Sequence, residues 1–208
     1  MLVSTSFLSS NNIPRDLKKL NETDTDYIHV DVMDGKFVPN KTMPFSEMKN
    51  IYKYTSKRLD VHLMVNDPTK YINDYVTLNT EYITIHEEID VDIIEMLKLI
   101  KSYGIKCGLA IKPDTLVSDL VPYLPLLDLV LVMSVEPGAG GQKFIMESED
   151  KIKEVKTLID TYNLSTKISV DGGINSETKD YCSLCDILVS GSYIVNSLDF
   201  SKQIDSLR

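Results

Sequence analysis

The sequence has no surplus of positive charge. Its 208 residues carry 22 lysines and arginines against 31 aspartates and glutamates, a formal net charge of −9. That balance excludes nucleic acid as the main partner, because binding a phosphate backbone needs a basic excess. A small phosphorylated ligand, held by local donors, is still compatible with it. No run of 18 apolar residues occurs, so no membrane-spanning helix is expected. The opening MLVSTSFLSS has neither a basic leader nor a long apolar stretch and does not read as a signal peptide. Cysteine is scarce and odd in number, with only Cys107, Cys182 and Cys185, and a reducing cytoplasm is the expected location. Cys182-Ser183-Leu184-Cys185 has the spacing of half a zinc site, but it has no second pair and no histidine nearby, so both thiols are expected to be structural. No linker, low-complexity tract or sequence repeat appears, and residues 1–208 read as one domain.

What the chain does have is a steady recurrence of short apolar runs. They lie at Leu2 to Ser6, Ile28 to Met33, Leu59 to Val65, Tyr82 to His86, Cys107 to Ile111, Leu129 to Ser134, Lys167 to Asp171 and Ile187 to Ser190. Most intervals hold an amphipathic segment at helical spacing. Ile93, Ile94, Leu97, Ile100 and Tyr103 form one face; Ile152, Val155, Leu158 and Ile159 form another. Pro14, Pro44 and Pro68 stand where helices would open. Strands alternating with helices imply right-handed βαβ units and a parallel sheet. Eight such units predict an α/β fold of the (β/α)8 TIM-barrel type, with a doubly wound open sheet as the rival.

Polar groups on these strands carry the chemical signal. In Ile28-His29-Val30-Asp31-Val32-Met33 the side chains alternate, so Ile28, Val30 and Val32 share one face and His29, Asp31 and Met33 the other. Leu59 to Met64 repeats the pattern, with His62 and Met64 opposite Leu59, Val61 and Leu63. Asp171 ends a third strand, opposite Val170. Buried polar groups are costly unless something satisfies them. In a barrel the C-terminal strand ends face one mouth, where His29, Asp31, His62 and Asp171 would converge. Two imidazoles and two carboxylates suit one first-row divalent metal ion: zinc, iron(II), manganese or cobalt. Glycines follow the last three strands, in Glu136-Pro137-Gly138-Ala139-Gly140-Gly141-Gln142, in Gly172-Gly173 and in Gly191-Ser192. Glycine lets backbone amides approach an anion, and barrels of this kind bind phosphate after strands seven and eight.

With IHVDVMDGKFVPN at 28–40, LDVHLMV at 59–65, LVLVMSVEPGAGGQKF at 129–144, VDGGI at 170–174 and VSGS at 189–192, the chain resembles the ribulose-phosphate 3-epimerases over nearly its whole length. The resemblance implies a metal-dependent isomerase of the pentose phosphate pathway that interconverts D-ribulose 5-phosphate and D-xylulose 5-phosphate through an ene-diolate. It also implies that His29, Asp31, His62 and Asp171 are metal ligands, with Asp31 and Asp171 the two acid/base residues. Substrate contacts would come from Ser6, from His62 and Asp171, from Met33, Met64 and Met133, and from the glycine segments Gly138, Ala139, Gly140, Gly141, Gly172, Gly173, Gly191 and Ser192.

Two rivals stand beside this expectation. One is a 3-epimerase for another ketose phosphate, such as D-allulose 6-phosphate; the other is a non-catalytic phosphate-binding barrel. A homo-oligomer is compatible with the sequence but not specified by it. His86 is expected to be structural or to lie behind the ligands. Lys112 raises a Schiff-base alternative as in barrel aldolases, and Asp34 and Asp60 read as turn and strand-bottom residues. Ala139 stands where the family usually has phenylalanine, which predicts a looser cover over the substrate.

Overall fold

The computed structural model describes all residues from Met1 to Arg208. Eight strands pair in parallel and in sequence order into a closed barrel. They are β1 (Leu2–Ser6), β2 (Tyr27–Met33), β3 (Arg58–Met64), β4 (Thr80–His86), β5 (Lys106–Ile111), β6 (Leu129–Met133), β7 (Lys167–Asp171) and β8 (Ile187–Ser190). Each expected run is a strand, displaced by at most two residues at either end. The open-sheet rival fails because β1 pairs with β8, so no edge remains.

The α-helices are α1 (Ile13–Asn21), α2 (Phe45–Met48), α3 (Thr69–Tyr75), α4 (Ile93–Ser102), α5 (Ser148–Thr161), α6 (Ser192–Val195) and α7 (Phe200–Ser206). Local chemistry sets their starts. The Asn12 side chain accepts the Arg15 amide at 3.1 Å ahead of α1, and Asp92 accepts the Glu95 amide at 2.9 Å ahead of α4. Pro14 lies in the first turn of α1, while Pro44 and Pro68 immediately precede α2 and α3.

The ring of helices is incomplete. Between β5 and β6 stand only two 3-10 turns, Val117–Leu120 and Leu124–Leu126. Pro113, Pro122 and Pro125 interrupt that stretch, and each lacks the amide a continuous helix needs. Between β7 and β8 a single 3-10 turn, Lys179–Cys182, replaces a helix in a short connection.

Strand faces sort the interior. Outward residues such as Ile28, Val30, Val32, Val61, Leu63, Val130 and Val170 join the helices in one cluster of 45 buried residues. On α4 the buried face is Ile93, Met96, Leu97 and Ile100. Ile94 and Tyr103 were expected on it, but they are 36% and 48% exposed. Helical stepping of three and four residues brings Met96, not Ile94, into line with Ile93, Leu97 and Ile100. Burying a side chain such as Leu97 contributes about 1.5–3 kcal/mol. Inside the barrel, Tyr82, Leu129 and Ile187 close the N-terminal end, so any pocket must open at the other. No helix is long and apolar enough to cross a membrane.

Candidate active site

The register between β2 and β3 sets the site. His29 lies beside Asp60 and, one layer nearer the mouth, Asp31 lies beside His62. Asp171 ends β7 between Met133 of β6 and Val189 of β8. The ligating atoms of His29, Asp31, His62 and Asp171 all lie within 4.8 Å of one another. His29 Nε2 stands 3.4 Å from Asp31 Oδ1 and 3.7 Å from Asp171 Oδ2. His62 Nδ1 stands 3.5 Å from Asp31 Oδ1 and 3.7 Å from Asp171 Oδ2. These separations are too long for directed hydrogen bonds. They are close to the roughly 3.4 Å expected between donors about 2.1 Å from a shared tetrahedral ion.

Two further observations fit a metal. His29 Nε2 and His62 Nδ1 are fully buried and have no hydrogen-bond partner. The opposite nitrogen of each ring is engaged: His29 Nδ1 with Asp60 Oδ2 at 2.9 Å, and His62 Nε2 with His86 Nε2 at 2.8 Å. Metal-binding histidines commonly anchor their second nitrogen in this way. Asp60 also accepts the Ser4 hydroxyl at 2.7 Å. It is therefore more than a strand-bottom residue, because it orients His29 from the neighbouring strand. His86 does lie behind the ligands, with its Nδ1 2.9 Å from Glu88 Oε2.

The two facing carboxylates differ. Burial opposes ionisation of Asp31, but the adjacent His29 and His62 outweigh it and hold its pKa well below the ordinary range. Its Oδ2 also accepts the Ser6 hydroxyl at 2.7 Å. Asp171 is pushed up to about 6, first by burial, with His29 pulling it down and Asp31 pushing it further up. His29 is raised well above its usual value: burial acts against the charge, and the carboxylates of Asp31 and Asp60 prevail. Surroundings that drive two carboxylates apart in this way recur in acid/base pairs and also in structural ion-pair networks.

Above the four groups opens a pocket whose empty space, open solvent included, is about 550 Å³. Its walls include Ser6, Asp31, Met33, Met64, Met133, Gly138, Ala139, Gly140, Gly141, Asp171, Gly172, Gly173, Gly191 and Ser192. His62 is not among them. It is wholly buried. Ser9, Val135, Gln142, Ile174 and Val189 also line the cavity and were not anticipated. Of these, Gln142 had a sequence signal, as the polar end of the glycine-rich segment. Its amide donates to the carbonyls of Glu136 and Ala139 at 2.7 and 2.8 Å and so braces that loop. Asn40 braces it from the other side, donating to the Gly138 carbonyl at 2.7 Å.

Gly173 needs its lack of a side chain. Its φ is +66°, and a Cβ there would meet the Phe144 backbone nitrogen. Lys112 does not face the cavity; its Nζ sits 4.1 Å from the centroid of the Phe37 ring. Asp34 is a turn residue, accepting the amides of Lys36, Phe37 and Asn66. Cys182 and Cys185 lie in the main apolar cluster. Burial pushes the Cys182 thiol up to about 12, which makes it unreactive.

The fold and these residues define a (β/α)8 barrel with a buried two-histidine, two-aspartate centre beneath a glycine-rimmed pocket. Sequence comparison makes this specific. The model of the ribulose-phosphate 3 epimerase family matches residues 2–195, and the chain belongs to that family. It is 39% identical to a ribulose-phosphate 3-epimerase of Chlamydia pneumoniae, over 92% of this chain and 86% of that one. It is 38% identical to one of Helicobacter pylori (strain J99 / ATCC 700824), over 100% and 97%. Among solved structures, a 3-hexulose-6-phosphate synthase superposes with a TM-score of 0.72 at 12% identity, covering 100% of this chain and 98% of that one. That likeness concerns the fold alone.

Proposed function

We propose that this chain is a ribulose-phosphate 3-epimerase that interconverts D-ribulose 5-phosphate and D-xylulose 5-phosphate. The observation that carries the proposal is the pair Asp31 and Asp171. The two carboxylates face one pocket, are held at different proton affinities, and are bridged by two imidazole nitrogens without partners.

His29 Nε2, His62 Nδ1 and one oxygen each of Asp31 and Asp171 would hold a single divalent ion; this mixed nitrogen and oxygen set suits zinc, iron(II), manganese or cobalt. Such an ion supplies a Lewis acid for the negative charge that develops on substrate oxygen.

The chain's own residues do the rest. Epimerisation at C3 removes a proton beside the C2 ketone and returns one to the opposite face. Asp31 on β2 and Asp171 at the end of β7 come from strands three apart around the barrel, and each would serve one face, as base in one direction and acid in the other. Ser6 fixes the Asp31 carboxylate through its hydroxyl. No protein donor reaches the Asp171 carboxylate, which is 19% exposed and free to approach substrate. Met33, Met64 and Met133 are almost fully buried at the pocket wall and exclude water without competing for protons.

The phosphate would lie against the backbone of Gly172, Gly173, Gly191 and Ser192, where close approach is open. The three free cysteines accord with a cytoplasmic location. The test is deuterium uptake from D2O at C3 of D-ribulose 5-phosphate, run beside D-allulose 6-phosphate. Rapid exchange with formation of xylulose 5-phosphate supports the proposal. Exchange confined to the hexulose phosphate would reassign the substrate, and exchange with neither would leave a binding barrel.

A further inference from the structure

Glu88 belongs to no ligand set, yet it is linked to the site through His86. It sits just beyond β4 and receives three donors. Its Oε1 accepts the Lys112 amide at 2.7 Å and the Thr115 hydroxyl, and its Oε2 faces His86 Nδ1 at 2.9 Å. His86 and His62 are both wholly buried, and their Nε2 atoms stand 2.8 Å apart. One proton lies between two such nitrogens, since two N–H groups cannot point at each other. A carboxylate beside His86 Nδ1 places a proton on that nitrogen. The His86 Nε2 lone pair then faces His62, whose Nε2 must donate. His62 Nδ1 is left with a lone pair directed at Asp31 and Asp171. The alternative placement would aim an N–H at the point where the metal is to bind.

We infer that Glu88 is a positioning residue that, through His86, fixes the tautomer of His62 in which Nδ1 can bind the metal. This rests on the reading of His62 as a ligand. The relay also ties the metal centre to the β5–β6 connection, because the Lys112 amide and Thr115 hold the far oxygen of Glu88.

Those donors make one variant diagnostic. In Glu88→Gln the Lys112 N–H and Thr115 hydroxyl require the amide oxygen at the Oε1 position. The amide nitrogen must then face His86 Nδ1 as a donor. That reverses the relay: His86 becomes protonated at Nε2, His62 accepts through Nε2, and His62 Nδ1 carries a hydrogen toward the metal. Only one oxygen has become nitrogen, yet the ligand is blocked.

The experiment combines metal affinity, from competition with a chelator for cobalt(II) and zinc(II), with histidine tautomers read by long-range ¹H–¹⁵N NMR. Wild-type protein is expected to bind one ion and to show His86 protonated at Nδ1 and His62 at Nε2. Glu88→Gln is expected to weaken affinity on the order of 10- to 100-fold, the range for such supporting partners, and to show the reversed tautomers. Lys151→Met is the comparison variant, because Lys151 Nζ donates to the carbonyls of Lys112, Pro113 and Thr115 without touching Glu88. It should lower Tm and leave affinity within twofold.

An unchanged affinity in Glu88→Gln overturns the inference. So does an equal loss in Lys151→Met, which would mean general loosening. If Glu88→Gln does not fold, the wild-type spectrum decides alone, and His86 protonated at Nε2 refutes the relay. A wild-type protein that binds no divalent ion refutes the metal site itself, which is a separate result.

Discussion

The two halves of the barrel are lined differently. From β1 to β4 the inward polar residues are Ser4, Ser6, His29, Asp31, Asp60, His62, Thr84 and His86, all buried and nearly all linked by hydrogen bonds, with Met33, Met64 and Tyr82 on the same face. From β5 to β8 the interior holds Gly108, Ala110, Leu131, Met133 and Val189, with Ser169 and Asp171 the polar exceptions. The two catalytic candidates sit one in each half, and their proton affinities follow. Asp31, among imidazoles and the Ser6 hydroxyl, is stabilised as a carboxylate. Asp171, between Met133 and Val189, is pushed up to about 6 by burial. The polar half positions ligands, because neighbouring strands place partners side by side at hydrogen-bond range. The second half leaves the Asp171 carboxylate without a hydrogen-bond donor, and its loops carry the glycines proposed to meet the phosphate.

The largest effect should come from removing either side of this contrast. Asp31→Asn and Asp171→Asn should each lower kcat by roughly 100- to 10,000-fold, measured by C3 exchange, since each removes an acid/base group. Loss confined to one of them would break the two-sided picture.

Next in size is the support beneath His29. Asp60→Asn keeps a hydrogen-bond acceptor but removes the charge, and it should weaken metal binding by about tenfold. At saturating metal, kcat should recover, whereas in Asp171→Asn it should not. The contrast with pH comes third. Ligation requires an ionised Asp171, whose pKa stands at about 6 in the metal-free chain. Above pH 6 that proton is already gone. Below it, the apparent metal affinity should fall by up to about tenfold per pH unit from this group alone, as measured by chelator competition between pH 5 and 8. His29, also raised, should steepen the fall. An affinity independent of pH would contradict the assignment.

The glycine side should respond in KM. Gly173→Ala forces a Cβ toward Phe144 at positive φ and should cost about 1–3 kcal/mol. It should raise KM for the phosphorylated substrate while metal binding stays intact. The smallest effect belongs to Thr84, whose buried hydroxyl has no partner. Thr84→Val should change stability by no more than about 1 kcal/mol in denaturant unfolding, which would show that polarity in this half is functional only where it is linked.

Much of this was legible in the sequence. The eight strands could be read because their outward faces are mostly Val, Ile or Leu, and the four metal-site groups because each interrupts that alternation on the opposite face. Alternation gives the face of a residue but not its depth, and this explains the misplacements. His62, expected to touch substrate, is wholly buried and outside the cavity lining. Asp60 looked like a strand-bottom residue until the register set it beside His29. Glu88 carried no signal, because its role depends on a contact between His62 and His86, on adjacent strands, that no spacing encodes. The interrupted helices between β5 and β6 were foreshadowed by their prolines.

The most direct test of the convergence of the two halves is a calorimetric titration of metal-stripped protein with a divalent ion in buffers of different ionisation enthalpy. One ion per chain, taken up with release of a proton from His29 and, below pH 6, of a second from Asp171, is the predicted result. No binding, a second equivalent of similar affinity, or uptake without proton release would contradict a single centre shared by the polar and apolar halves.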